Sequence, residues 1–276
     1  MDNININDLA KMIDHTELKS SSGEKKIKKL CDEAKEFGFI SVCVNPAYVP
    51  FAYSQLKDSD VLVCSVVGFP LGMSTSEIKS LEARKAVDSG AEEIDMVLNV
   101  GALKDGKLDY VEDDIRQVVQ ASKPAHVKVI FETCYLTDEE IVTACELSVK
   151  AGAHFVKTST GFGAFGAFAE HIKLMRKTVG PDIGVKASGG VTNFKDALRM
   201  IEAGATRLGT SAGIVILEGA KMFKFAPKAW LQQEIPCHLC PVRSASPAKM
   251  PKGVYKYYSK KCMNCEHRET YNKFYE

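Results

Sequence analysis

This sequence of 276 residues is sparing at the extremes, with one tryptophan, a formal net charge of +1, and no apolar run near the ~20 residues that span a bilayer. The last of these gives no support to a membrane-spanning helix. The start, Met1 to Asp8, has neither a basic stretch nor an apolar core, so no secretion signal is expected. No Gly-x-Gly-x-x-Gly follows the first strand candidate, which leaves a dinucleotide site without support. Nor do the cysteines read as a disulfide framework. Cys31, Cys43, Cys64, Cys134 and Cys145 are scattered singly through the body, the pattern of small buried thiols. A soluble protein of a reducing cytoplasm is expected.

Hydrophobic residues make up 45% and charged residues 26%, ordinary for a globular chain, and the length suits one α/β barrel with an appendage. The small net charge hides an asymmetry. Residues 221–276 hold 11 Lys+Arg against 4 acidic residues, whereas residues 1–220 hold 25 against 31. The body is mildly acidic and the tail is basic.

Along the body, short apolar strand candidates alternate with helices. The strands are Met12–Thr16, Ser41–Asn45, Val61–Val67, Glu93–Val97, Val127–Phe131, Phe155–Thr158, a short strand ending at Lys186, and Arg207–Gly209. Ser21 with Glu24, Ser74 with Glu77, and Thr137 with Glu140 have capping-box spacing at helix starts. Phe37-Gly-Phe39, Ser89-Gly-Ala91, Ala151-Gly-Ala153 and Ala203-Gly-Ala205 are four uses of one joint, in which a helix ends on glycine and a strand begins at once. Strands apolar on both faces argue a parallel sheet covered by helices. Eight such units favour closure into a (β/α)8 TIM barrel over an open doubly wound sheet.

In a barrel of this kind the chemistry lies at the C-terminal ends of the strands. Those ends carry Asp14, Cys43, Asp95, Lys128 with Glu132, Lys157 and Lys186. Lys157 ends a short β-branched strand and runs into Thr158-Ser-Thr160-Gly161; Lys186 ends another and runs into Ser188-Gly-Gly190. Two lysines held close disfavour each other's protonation, and partial desolvation adds to this, so one amine is neutral near pH 7. A neutral amine attacks a carbonyl to form a Schiff base, an electron sink for carbon–carbon cleavage. Asp95 can move protons through water. Blander readings stand beside these. Asp14 and Asp95 can pair with lysines to hold the barrel rim, Cys43 can simply line a pocket, and Lys128 can neutralise Glu132. Lys157 and Lys186 can be two phosphate-binding cations.

A phosphate site is also legible. Ser188-Gly-Gly-Val191 precedes a helix opened by Asn193, and Leu208-Gly-Thr-Ser-Ala-Gly213 follows the last strand. Loops after the seventh and eighth strands are the usual phosphate cradle of barrel enzymes.

Taken together, these stretches resemble the deoxyribose-phosphate aldolase family of class I, Schiff-base aldolases. The matching segments are Ile13-Asp-His-Thr16, Ser41-Val-Cys-Val-Asn-Pro46, Val66-Val-Gly-Phe-Pro-Leu-Gly72, Glu93-Ile-Asp-Met-Val97 and Glu132-Thr-Cys134. Val156-Lys-Thr-Ser-Thr-Gly-Phe162, Gly184-Val-Lys-Ala-Ser-Gly-Gly190 and Arg207-Leu-Gly-Thr-Ser211 complete the set. The resemblance implies reversible cleavage of 2-deoxy-D-ribose 5-phosphate to D-glyceraldehyde 3-phosphate and acetaldehyde, in deoxyribonucleoside catabolism, with no cofactor for catalysis. Lys157 falls on the Schiff-base lysine, Lys186 on the lysine that lowers its pKa, and Asp95 on the proton-relay aspartate. Asp14, Cys43, Lys128, Thr160 and Gly161 are expected in the substrate pocket, with Gly189, Gly190, Gly209, Thr210 and Ser211 on the phosphate loops. One departure is Ala212, where many members carry a second serine.

The resemblance covers residues ~10–220 and leaves the tail unexplained. The organisation expected is a barrel over residues 1–220, a linker over 221–235 and a metal module over 236–276. Cys237-His-Leu-Cys240 and Cys262-Met-Asn-Cys265, with 21 residues between them, offer four thiolates at spacing that suits tetrahedral zinc in a ribbon. Iron is the alternative metal. A structural zinc is expected of Cys237, Cys240, Cys262 and Cys265. The basic tail also permits nucleic-acid contact, a role weighed below a structural one. Partners are expected to be a sugar phosphate and aldehydes, with self-association into a homo-oligomer and no membrane. The reading from a different class is a barrel kept as a binding or regulatory protein, and the joint presence of Lys157, Lys186 and Asp95 speaks against it.

Overall fold

The computed structural model describes residues 5–224. The elements in chain order are α1 (Ile6–Ala10), β1 (Ile13–Glu17), α2 (Glu24–Phe37), β2 (Ser41–Val44), α3 (Val49–Leu56), β3 (Leu62–Val67), α4 (Ser76–Asp88), β4 (Glu93–Val97), α5 (Val100–Lys104) and α6 (Leu108–Ala121). They continue with β5 (His126–Ile130), α7 (Asp138–Lys150), β6 (Phe155–Lys157), α8 (Ala169–Val179), β7 (Gly184–Ser188), α9 (Phe194–Glu202), β8 (Arg207–Thr210) and α10 (Gly213–Lys224). Every strand pairs in parallel with its sequence neighbour, and β1 pairs with β8, so the sheet closes into the expected eight-stranded barrel. The last helix is described through Lys224, past residue 221 where the linker is expected to begin. The four tail cysteines and the expected metal module lie outside the described residues.

The alternation of side chains along each strand sorts the interior into two environments. Val42 and Val44 of β2, Ile94 and Met96 of β4, and Val127 and Val129 of β5 point out into the helix layer, where they join one continuous apolar core. Each fully buried Val, Ile or Leu there contributes about 1.5–3 kcal/mol. The opposite face of the same strands points to the barrel axis and carries the charged residues. Near the mouth, the axis side also holds a small apolar cluster of Leu18, Cys43, Cys64 and Val66, with Phe69 against it.

All four helix-to-strand joints use a glycine at positive φ: Gly38 (68°), Gly90 (105°), Gly152 (87°) and Gly204 (110°). The capping boxes fared less uniformly. Thr137 and Glu140 form one in full, with Thr137 Oγ1 accepting from Glu140 N at 3.3 Å and Glu140 Oε2 accepting from Thr137 N at 2.8 Å. Ser21 and Ser74 do not cap. Gly23 and Thr75 take the capping positions of α2 and α4, which puts Glu24 and Glu77 at the first and second helical positions rather than the third that a capping box uses. The short helices α1, α3 and α5 carry too few turns to show a hydrophobic period.

Candidate active site

Strand register brings the expected residues together. Lys157 on β6 lies directly across from Lys186 on β7, and Asp95 on β4 directly across from Lys128 on β5. All four face the axis. Asp95 is the hub: its Oδ2 accepts from Lys157 Nζ at 2.6 Å and from Lys186 Nζ at 2.7 Å, and its Oδ1 accepts from Lys128 Nζ at 3.0 Å. Asp14 on β1 accepts from Lys186 through Oδ2 and from Arg207 Nη1 on β8 through Oδ1, the latter at 2.7 Å. Glu93, two residues before Asp95 on the same face, accepts from Lys128 Nζ at 2.7 Å and from Arg207 Nη1 at 2.9 and 3.0 Å. Lys186 and Lys128 are fully buried, whereas the Lys157 side chain keeps 4% of its surface exposed. Lys157 is therefore the amine of this cluster that meets the mouth.

Mutual attraction overcomes the cost of burial here. Desolvation alone would raise Asp95, but Lys128, Lys157 and Lys186 hold it well below the usual carboxylate range. Asp14 behaves likewise, with Lys186, Lys128 and Arg207 outweighing its burial. For Lys186, desolvation favours the neutral amine, but Asp14 and Asp95 push it above the ordinary lysine value and keep it charged. Lys128 is held charged in the same way by Asp95, Cys64, Glu93 and Asp14. Below this layer Phe155 fills the barrel, with Arg207 stacked 5.0 Å from its ring centroid.

Two loops form the other side of the site. Gly189 (φ 81°) and Gly190 (φ 77°) follow β7, and a Cβ on Gly189 would meet Gly166 Cα at 2.9 Å. The turn after Lys157 is tied to this loop by Thr158 Oγ1, which donates to Ser188 O at 3.2 Å and accepts from Ser188 N at 3.1 Å. Ser188 Oγ donates to Ser159 O at 2.8 Å. Gly209 presses on Lys186 and Ser188, where a Cβ would lie 2.9 Å from Lys186 Cε. Thr210 Oγ1 donates to Val191 O at 2.6 Å and accepts from Ala212 N at 2.9 Å, linking the two Gly-rich loops, while Ser211 is exposed. Thr160 is buried and Gly161 exposed at the head of the turn. Cys43 sits in the apolar cluster, its thiol drawn down from the ordinary value by a hydrogen bond with Cys64.

The structure corrects one pairing. Lys128 does not neutralise Glu132; it bonds Glu93 and Asp95, and Glu132 turns instead to Thr160. Four residues along a strand is about 13 Å, too far for the two side chains to meet. Glu93, Arg207 and Cys64 carry part of the network without having been singled out in the sequence. Cys64 Sγ donates to Asp95 Oδ1 at 3.2 Å. The available signal was period two: Glu93 shares a face with Asp95, and Arg207 is a charged residue opening an otherwise apolar strand.

This arrangement matches known proteins. A family model described as DeoC/LacD family aldolase matches residues 9–219. A deoxyribose-phosphate aldolase of Carboxydothermus hydrogenoformans is 59% identical over 215 residues, 76% of this chain and 94% of the relative. One of Exiguobacterium sibiricum is 62% identical over 212 residues, 76% of this chain and 96% of the relative. Among solved structures, the deoxyribose phosphate aldolase of Aeropyrum pernix, described as tetrameric, superposes with a TM-score of 0.75 at 33% identity, covering 79% of this chain and 92% of that one. With its barrel matched almost end to end and its two lysines facing one aspartate, the chain belongs to the DeoC/LacD family of aldolases.

Proposed function

We propose that this chain is a class I aldolase that reversibly cleaves 2-deoxy-D-ribose 5-phosphate to D-glyceraldehyde 3-phosphate and acetaldehyde through an imine on Lys157, serving deoxyribonucleoside catabolism. The observation that carries this reading is the carboxylate shared at Asp95 Oδ2 by Lys157 at 2.6 Å and Lys186 at 2.7 Å. Asp14, Glu93 and Asp95 face Lys128, Lys157, Lys186 and Arg207, so the cluster holds one more base than it has carboxylates. Release of one proton leaves it neutral, and Lys157 is the one lysine of the cluster whose side chain keeps exposed surface.

The neutral amine adds to C1 of the open-chain sugar, and loss of water gives the iminium. The C3 hydroxyl loses its proton as the C2–C3 bond breaks, and the electron pair flows into the iminium to form an enamine. Glyceraldehyde 3-phosphate departs. Protonation at C2 and hydrolysis then free acetaldehyde and restore Lys157. Asp95, acting through water, is the proton carrier, and its contact with Lys157 puts it at the reacting nitrogen. Asp14 and Lys128 hold Lys186 and Asp95 in place. Thr160 and Gly161 line the sugar, and Cys43 with its apolar neighbours forms a wall. Gly189, Gly190, Gly209, Thr210 and Ser211 take the phosphate. Ala212 supplies no hydroxyl, at a cost of ~1.5–3 kcal/mol if that hydroxyl bonds phosphate in other members. The imine is itself the electron sink, so the carbon chemistry calls for no metal or organic cofactor.

Borohydride trapping with 2-deoxyribose 5-phosphate tests this. A reduced adduct mapped to Lys157 is expected, and folded protein yielding no adduct on any lysine would sink the assignment.

For the rest of the chain, a structural zinc held by Cys237, Cys240, Cys262 and Cys265 is the proposed role of residues 236–276, supported by the two Cys-x-x-Cys pairs. Self-association is supported by exposed apolar side chains at Leu71 (74% exposed) and Met73 (64%) and at Ile78 and Leu81 on α4. The five cysteines among the described residues are free, which suits a reducing cytoplasm.

A further inference from the structure

Among the described residues, Glu132 is the single non-glycine at positive φ (φ 53°, ψ 61°). A side chain disfavours that backbone, and such residues persist where the surroundings fix them, often at functional sites. Glu132 stands just beyond β5, and its conformation does something specific. Phe131 N donates to Lys157 O at 3.0 Å and Thr133 N donates to Thr158 O at 2.9 Å. Two residues on one side thus answer a single step on the other. The kink lets the chain stay bonded to the peptide that follows the nucleophile while turning the Glu132 side chain toward the mouth.

There the carboxylate, 4% exposed, accepts from Thr160 N through both oxygens at 3.2 and 3.3 Å, and from the Thr160 hydroxyl. Thr160 Oγ1 in turn accepts from Phe162 N at 3.0 Å. Gly163 lies flat over the carboxylate, where a Cβ would come within 2.9 Å of Glu132 Cδ. Burial raises the Glu132 carboxyl above its ordinary value, opposed by these Thr160 bonds and by the charge of Lys157. From the far end of the same turn, Ala167 N donates to Gly189 O at 2.9 Å. The segment from Thr158 to Ala167 is therefore pinned at Glu132 on one side and at the Gly189 loop on the other.

We propose that Glu132 is a positioning residue that fixes the Thr160–Gly163 turn, and through it the spacing between Lys157 and the phosphate loop. This rests on the aldolase reading above. Glu132 does not touch the reacting atoms. It sets where the phosphate end of the substrate is held relative to the amine, and a small misplacement of that kind is felt strongly in rate.

The test is Glu132→Gln, whose amide nitrogen cannot accept from Thr160, assayed on 2-deoxyribose 5-phosphate and on unphosphorylated 2-deoxyribose. The preference in kcat/KM for the phosphorylated sugar should fall on the order of 10- to 100-fold, chiefly through KM. Borohydride trapping of Lys157 by acetaldehyde, which has no phosphate, should persist. An unchanged preference overturns the proposal, whether both activities fall together or neither falls. If Glu132→Gln does not fold, Thr160→Val removes the bonded hydroxyl from the other end and should shift the preference in the same direction; a uniform loss there overturns it equally. Failure of the aldolase reading looks different: wild-type protein would neither cleave the phosphorylated sugar nor be trapped at Lys157, and the proposal would fall with it.

Discussion

Between α4 and α6, Lys79 and Asp114 meet at 2.6 Å with neither side chain exposed, and Lys79 also donates to Val97 O at 3.0 Å. Gly68 packs on the lysine stem, so the pair is walled in. Inside the barrel, Asp14, Glu93 and Asp95 face Lys128, Lys157, Lys186 and Arg207. The first region has one anion for one cation and no opening. The second has a base in excess and an opening at Lys157. Both bury charge at short range, yet only the second can lose a proton without stranding an unpaired ion. Buried charge alone is thus no sign of a site; imbalance together with access is.

The largest expected effect comes from removing the open member of the unbalanced cluster. Lys157→Ala should lower kcat on 2-deoxyribose 5-phosphate by on the order of 10⁴-fold or more, since the covalent route is gone. Its melting temperature should stay near wild type; an active Lys157→Ala enzyme would erase the distinction between the regions. The closed pair should behave in the opposite way. Lys79→Met leaves Asp114 buried and unpaired, so urea unfolding should show a loss of about 3–5 kcal/mol, with kcat of the folded protein unchanged. A fall in kcat without loss of stability would mean that α4 and α6 feed into the chemistry.

The smallest effect concerns acid. Asp14 and Asp95 are held low despite burial, by Lys186, Lys128 and Arg207 for the first and by Lys128, Lys157 and Lys186 for the second. In the folded chain they stay ionised where the unfolded chain has begun to take up protons. Their contribution is complete above about pH 5 and is lost progressively as the pH falls below the unfolded-state value toward the folded-state ones. By pH 3 each should have lost about 1 kcal/mol, seen as a falling urea midpoint. Asp14→Asn should flatten its share of that slope; an unaltered slope would show that Asp14 is not held low.

Much of this was legible in the sequence, for reasons that differ by residue. Lys157 could be found because a lysine at the end of a short apolar strand has no dry-core explanation; Lys186 was found by the same argument, although β7 runs two residues past it to Ser188 and places it mid-strand. Thr137 and Glu140 made their capping box because Thr137 directly precedes the helix, whereas Ser21 and Ser74 stood a residue or more too far out. Glu132 could be placed at a strand end, but its conformation could not be read, since nothing in Phe131-Glu-Thr133 marks a left-handed residue.

By itself the sequence determined the eight strand–helix units, because side-chain period and glycine joints are local. It also determined which chemical groups the strands carry, though β1, β4, β5 and β7 run past Asp14, Asp95, Lys128 and Lys186, which stand within their strands rather than at the ends. Who meets whom was decided by closure. Lys186 reaches Asp14 across 172 residues of chain, and Arg207 reaches the same carboxylate across 193, because β1 pairs with β8. Lys128 turned to Glu93 and Asp95 on the neighbouring strand rather than to Glu132 along its own. Strands stand under 5 Å apart across a sheet, while four residues along one span about 13 Å, so a short-range charge finds its partner sideways.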